Sequence, residues 1–376
     1  MPDLYRHSVE IILAHQSPGG GYLASPTFPD YRYCWFRDGA YTAYAMDLAG
    51  ERESARRFHD WCAWAVNQRR AVVERAIEQA NRGELLAEAD YLHTRYTLDG
   101  HEDDDATWPN FQLDGLGTWL WALAEHARLA GLNRLSPAWQ EAATLTARYL
   151  AALWPRPCYD CWEEFEDRVH PYTLAAIYGG LQALASLGLE GEWGAAPAAI
   201  RAYVLDQGVQ DGRLVKSIGN PAVDASLLGM ATPYRLLEPG DLPMQTTVAR
   251  IEADLRREGG GVHRYVADTY YGGGEWVLLT AWLGWYYAEV GESEKAREML
   301  AWVEAQADEQ GNLPEQVSRT LTAPRYLKVW RERRGEIANP LLWSHAKYII
   351  LRHYLPAPMQ VRRTAPASRL AAQGTL

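Results

Sequence analysis

Two kinds of helical pattern alternate along this chain. Segments 38–49, 115–130, 172–187, 223–231, 275–290 and 339–354 are apolar on nearly every side, which suits a helix that is covered all round. Segments 4–15, 53–68, 137–152, 192–204, 246–257 and 292–306 carry apolar residues on one face and charges on the other, the pattern of a helix with one side in water. Strand-like alternation is sparse. Six buried helices alternating with six surface helices predict an all-α fold, an (α/α)6 barrel whose inner ring lines the axis and whose outer ring wraps it. The alternative is an open solenoid of helix pairs, whose repeat calls for uniformly short connections. Here 68–114 and 307–338 read as long, irregular stretches, which in a compact domain commonly carry function. The closed barrel is the expectation. It occupies 1–355 as one domain, and a tail of Pro and Ala with few large apolar residues, 356–376, is poorly ordered or docked on a surface.

The barrel gives the polar-aromatic clusters a common address. Trp35-Phe36-Arg37-Asp38 precedes the first buried helix, Trp108-Pro109-Asn110 the second, Trp162-Glu163-Glu164 the third, Arg264-Tyr265 the fifth, and Glu315-Gln316 lies upstream of the sixth. Inner helices of such a barrel run parallel to one another, so their N-terminal ends share a face. All five clusters are therefore expected at one mouth.

Composition narrows what that mouth binds. Sixteen Trp and 22 Tyr stand against 5 Phe, a surplus of flat rings with hydrogen-bonding handles that suits stacking on the C–H face of a sugar, although any single ring is more simply a core residue. A formal net charge of -11 argues against a surface that tracks phosphates, so nucleic acid is not an expected partner. The first residues interleave charges with apolar positions, giving neither a signal-peptide core nor a membrane span, and the expected location is cytoplasmic. Four cysteines, Cys34, Cys62, Cys158 and Cys161, are too few for a disulfide framework. Cys158 and Cys161 have CxxC spacing without a second pair, so buried thiols are the reading and neither metal nor organic cofactor is expected.

Two acidic motifs stand out at the mouth: Glu163-Glu164 between Trp162 and Phe165, and Glu315 in GNLPEQV. A lone pair of adjacent glutamates is often a solvated loop. Between two aromatic residues, however, one carboxyl gains an apolar wall and a like-charged neighbour, and both raise its pKa as an acid catalyst requires. A raised carboxylic acid and an ionised partner are the equipment of glycoside hydrolysis. Arg37-Asp38 at a helix entrance reads either as a surface ion pair with Asp as N-cap or as a fork-and-acceptor grip on vicinal hydroxyls. The histidines His93, His101, His170 and His345 lack metal-ligand spacing, and no nucleophile elbow, P-loop or dinucleotide fingerprint occurs.

Taken in order, PDYRYCWFRDG (29–39), WPNFQLDG (108–115), YDCWEEF (159–165), RYVADTYYGGGEW (264–276) and LPEQ (313–316) resemble the segments of the glucoamylase family, glycoside hydrolase family 15, across nearly the whole chain. The resemblance implies Glu163 as general acid, Glu315 as general base and Tyr31 as the tyrosine near the attacking water. It implies that Arg37, Asp38, Glu164 and Arg264 hold the non-reducing-end glucose, and that Trp35, Trp108, Trp162, Tyr265, Trp276, Gln316 and Trp343 contribute to substrate binding. Family members invert, so the two carboxyls are expected about 6.5–9.5 Å apart, against about 5 Å in a retaining enzyme. The first barrel helix begins close to Met1, which leaves no room for the β-sandwich of bacterial members or for a starch-binding module. The segment 90–105 (DYLHTRYTLDGHEDDD) departs from the starch-active pattern.

The expected activity is therefore an exo-acting, inverting α-glucosidase on short α-1,4 or α-1,6 glucosides, releasing β-glucose without a cofactor. A trehalase of the same fold is the alternative within the class. From other classes come a noncatalytic carbohydrate-binding barrel and an epimerase or lyase, the latter using His or Tyr to move protons.

Overall fold

The computed structural model describes residues 3–102 and 108–355. Along the chain it has helices α1 (Leu4–Ala14), α2 (Phe36–Ala49), α3 (Arg52–Asn67), α4 (Arg70–Asn81), α5 (Asp114–Leu129), α6 (Pro137–Leu153), α7 (Pro171–Ser186) and α8 (Ala196–Gln207). A 3₁₀ helix, Ala225–Met230, comes next, followed by α9 (Leu242–Leu255), α10 (Val277–Glu289), α11 (Ser293–Glu304), α12 (Arg325–Arg334) and α13 (Leu342–Tyr354). The inner ring closes: α2 packs on α5, α5 on α7, α7 on the 3₁₀ helix, that helix on α10, α10 on α13, and α13 back on α2. Outer helices lie against it, α3 on α2, α8 on α7, α11 on α10 and α1 on α13. This is the (α/α)6 barrel that the alternating pattern predicts.

Local chemistry sets the elements. Asp3 caps α1 by accepting from the amides of Tyr5 and Arg6, and Ser136 caps α6 ahead of Pro137, whose fixed φ and missing N–H suit the first helical position. α10 buries every residue from Val277 to Tyr287, so no side of it needs a polar stripe. Glycine permits the closest approach in the ring. A Cβ on Gly117 of α5 would stand 2.5 Å from the Ala176 carbonyl of α7, and one on Gly180 would stand 2.4 Å from the Gly117 oxygen. Contacts this short leave no room for even a methyl group at either position.

Three corrections apply to the sequence reading. The fourth inner element, expected as a helix over 223–231, is a single 3₁₀ segment of six residues. Asp224 caps it through a hydrogen bond from the Ser226 amide, and Pro233 follows closely, so the run is too short for an α-helix. The stretch 68–114 holds α4, whose Val73, Ala76 and Ile77 bury one face, and 307–338 holds α12, in which no residue is buried. Residues 103–107 and the expected tail 356–376 lie outside the described residues.

Short antiparallel ladders brace the mouth. β1 (Cys34–Trp35) pairs with β2 (Arg95–Tyr96), and β3 (Val209–Gln210) with β4 (Arg213–Leu214). β5 (Glu275–Trp276) pairs with β6 (Gln316–Val317), with Trp276 opposite Gln316. Among the described residues no helix is long and apolar enough to cross a membrane.

Candidate active site

A cavity of about 430 Å³ opens where the starts of the inner helices converge: Arg37 and Asp38 in the first turn of α2, Trp276 just ahead of α10 and Trp343 in the first turn of α13 all line it. Every residue to which the sequence assigns a catalytic or substrate-binding role lines this cavity except Tyr265 and Gln316. Successive residues of extended chain face opposite ways. Glu315 therefore faces the cavity while Gln316 turns back, its Oε1 accepting from the Gly274 amide at 2.9 Å. Arg264 likewise faces inward while Tyr265 stands behind Glu164, donating its hydroxyl to Glu164 Oε2 at 2.5 Å.

Glu163 and Glu315 each accept a hydrogen bond from a neutral aromatic donor. The Trp35 indole N–H donates to Glu163 Oε1 at 2.7 Å. The Tyr31 hydroxyl donates to Glu315 Oε1 at 2.9 Å and lies 2.9 Å from the Tyr270 hydroxyl. Glu315 Oε2 is buried and has no hydrogen-bond partner among the described residues. Burial lifts both carboxyls. For Glu163 it outweighs the pull of the Arg37 charge and the Trp35 donor, and Glu315 rises to about 7 against the pull of Tyr31 and Arg264. Phe165, expected as a wall for the acidic pair, is not at the cavity; its ring lies 5.2 Å from Lys216 Nζ and edge-on to Tyr265, while Trp35 and Trp162 line the cavity beside Glu163.

The Glu163 loop is folded by residues the sequence reading passed over. Glu163 sits at φ 67° and Phe165 at φ 57°, left-handed conformations that non-glycine residues adopt only when their surroundings impose them. Asp160 imposes this one: its Oδ1 accepts from the amides of Trp162 at 2.9 Å and Glu164 at 3.0 Å. Its other oxygen meets Lys216 Nζ at 3.1 Å, and the same ammonium meets Asp224 Oδ2 at 2.5 Å. Asp224 in turn accepts from the Trp162 indole at 3.0 Å and from the Ser226 amide at 2.8 Å. The only sequence signals were a lone Lys in the run RLVKSIG and an Asp ahead of an inner element.

Arg37 and Asp38 form an ion pair, Nε to Oδ2 at 3.3 Å, but Arg37 is buried, the Asp38 side chain is only 15% exposed and α2 is capped at Trp35, so the surface-cap reading does not hold. Arg37 Nη1 also donates to Gln112 Oε1 at 2.9 Å and lies 3.4 Å from Asp114 Oδ2. Burial lifts Asp38 to about 6, with Arg37 pulling it back. Arg264 is held by Asp268 at 2.8 and 2.5 Å and reaches Glu164 Oε1 at 3.4 Å, with Trp162, Tyr270 and Trp276 rings around its guanidinium at 5.3, 5.2 and 5.1 Å. Trp330, Arg333 and Arg334 of α12 complete the rim, and Arg334 meets Asp30 at 2.5 Å. All four cysteines are free and buried.

Two carboxyls withdrawn from water, a caged arginine and indole walls make a site suited to a neutral, hydroxyl-rich ligand and to proton transfer at its bonds. Comparison with known proteins agrees. The chain is 43% identical over 356 residues to an isomaltose glucohydrolase of Kribbella flavida, covering 93% of this chain and 91% of that protein. It is 25% identical to trehalase 2 of Sulfolobus acidocaldarius over 80% of this chain and 57% of that one. A glycosidase variant solved in complex with glucose is 42% identical, with a TM-score of 0.89 over 94% of this chain and 96% of that chain. The model of the family described as Glycosyl hydrolases family 15 matches residues 2–353, and the chain belongs to that family and is a glycoside hydrolase.

Proposed function

We propose that the protein is an exo-acting, inverting α-glucosidase that removes glucose from the non-reducing end of short α-glucosides, with α-1,6-linked isomaltose-type substrates preferred. One observation carries the reading: the half-buried Glu163 and the buried Glu315 line one cavity, each accepting from a neutral donor, and Glu315 Oε2 has no hydrogen-bond partner among the described residues. The preference for α-1,6 bonds rests on the 43% identity to an isomaltose glucohydrolase.

In this mechanism Glu163 donates its proton to the glycosidic oxygen as the C1–O bond breaks, and Glu315 Oε2 takes a proton from the water whose oxygen forms the new bond to C1 from the opposite face. The products are β-glucose and the shortened alcohol, and the proton on Glu315 returns to Glu163 through solvent. Burial raises both carboxyls, which favours the protonated form that Glu163 needs, while the Tyr31 hydrogen bond and the Arg264 charge favour the ionised form of Glu315. Arg37, Asp38, Glu164 and Arg264 supply the charged donors and acceptors for the glucose hydroxyls, and Tyr265 holds Glu164 from behind rather than touching the sugar. No step calls for a metal or an organic cofactor. We place the protein in the cytoplasm, a compartment that its four free, buried cysteines fit.

The test is to follow glucose release from isomaltose, maltose and trehalose by NMR. Initial β-glucose with isomaltose fastest is expected. Initial α-glucose overturns inversion, fastest turnover of trehalose establishes the trehalase reading that the weaker relative supports, and no release from any of the three removes the α-glucosidase.

A further inference from the structure

At the end of the barrel away from the sugar cavity, three helices bring three metal-ligating side chains together. Asp47 stands in the last turn of α2, His126 in the last turn of α5 and His59 in the first half of α3. One donor atom from each lies within 4.8 Å of the other two, and all three residues are buried. His126 Nδ1 is 2.9 Å from Asp47 Oδ1 and 3.0 Å from Oδ2. The His59 ring lies 4.9 Å from the His126 ring, tilted by 42° rather than stacked, and Trp139 stands edge-on to both.

His59 is the informative member. It is 0% exposed, and among the described residues neither ring nitrogen has a hydrogen-bond partner. Buried polar side chains that leave every site unsatisfied are uncommon in native interiors, and each calls for an account. Of the groups around His59, Asp47 supplies negative charge, Arg52 and Glu125 act on Asp47 with opposite signs, and the C-terminal carbonyl ends of α2 and α5 converge there, which favours a cation.

We propose that Asp47, His59 and His126 form a site for one divalent transition-metal ion of the zinc class, tying α2, α3 and α5 together at the base of the barrel. Two imidazole nitrogens and a carboxylate oxygen match three-ligand zinc sites with an open fourth position, while calcium and magnesium prefer all-oxygen sets. Closing donor atoms that lie within 4.8 Å to the roughly 3.4 Å edge of a tetrahedron with about 2.1 Å bonds takes side-chain rotation rather than a new backbone. His126 exchanges its contact with Asp47 for the ion and binds as the tautomer protonated on Nε2.

The test uses the whole protein, stripped with a chelator and titrated with Co²⁺ and then Zn²⁺. Uptake of about one equivalent of Co²⁺ with the strong visible bands of a four-coordinate site is expected, along with displacement by Zn²⁺ and a melting temperature that rises with Zn²⁺ concentration. His59→Gln and Asp47→Asn, checked for folding by circular dichroism, are each expected to weaken binding at least about tenfold. No stoichiometric uptake by the wild type, or unchanged uptake in both folded variants, overturns the site. So do the weak bands of a six-coordinate ion in the wild type, a readout that stands even where a variant fails to fold.

Discussion

Tyr31 donates its hydroxyl to Glu315 Oε1 at 2.9 Å across 284 positions of sequence, so the first loop of the chain and one of its last fix the same carboxylate. The donor favours the ionised form that a base needs. With Glu315 lifted to about 7, kcat/KM is expected to fall as pH drops below about 7, because the base is then protonated. Tyr31→Phe removes a group that lowers this pKa, so the acid limb of the profile moves to higher pH. A limb that stays in place or moves down would show that Tyr31 does not tune Glu315.

Trp35 has the corresponding role at Glu163. Its indole N–H lowers a pKa that burial raises, and the acid role proposed for Glu163 requires the protonated form. Trp35→Phe is expected to move the alkaline limb of kcat/KM upward while leaving the acid limb in place. Movement of both limbs together would place the effect on binding instead.

Glu163→Gln and Glu315→Gln are each expected to cost roughly 10²-fold or more in turnover of isomaltose, the usual worth of acid–base groups. The two separate on α-glucosyl fluoride, whose leaving group needs no proton. The Glu163 variant recovers most of its rate on that substrate and the Glu315 variant does not. Equal recovery by both exchanges or removes the assigned roles.

Glu315 also carries a stability cost that can be measured. Its folded pKa, about 7, stands above the ordinary 4.5, so its contribution to stability is fullest below pH about 4.5 and is lost as pH rises through about 7. That shift corresponds to roughly 3 kcal/mol. Glu315→Gln is therefore expected to melt higher than wild type above pH 7, with the gap closing below pH 4.5. A gap independent of pH would show that the Glu315 carboxyl has the same pKa in the folded and unfolded chain.

Lys216→Met leaves Asp160 and Asp224 buried without their cation. A loss of about 3–5 kcal/mol in chemical denaturation is expected, together with a drop in kcat, because Asp160 shapes the loop that carries Glu163. Full kcat at temperatures where the variant is folded would free the loop from this ion pair.

The ring was legible because helices such as α10 are apolar on all sides, and only burial on all sides permits that. The mouth was legible because clusters of Trp, Arg and Glu recur just ahead of those helices. α12 was not, since RYLKVWRERR buries no residue and so leaves no apolar stripe, and α4 has only the short stripe of Val73, Ala76 and Ile77. The triad of Asp160, Lys216 and Asp224 stayed hidden for a different reason. Single charges read as solvated until the fold brings Lys216 to an aspartate 56 positions away. Tyr265 and Gln316 were overassigned because a motif names neighbours together, while extended backbone turns them apart.

The small ladder between β5 and β6 has a consequence for how this enzyme can diversify. Glu315 is registered against the start of α10 by two-residue strands and by the Val277 amide, which donates to the Glu315 carbonyl at 3.2 Å, while α12 leaves the ladder and returns at the rim. Insertions or exchanges in that excursion reshape the rim without altering the register of Glu315. The choice of leaving sugar and the machinery at Glu315 are therefore separable traits, open to change one at a time.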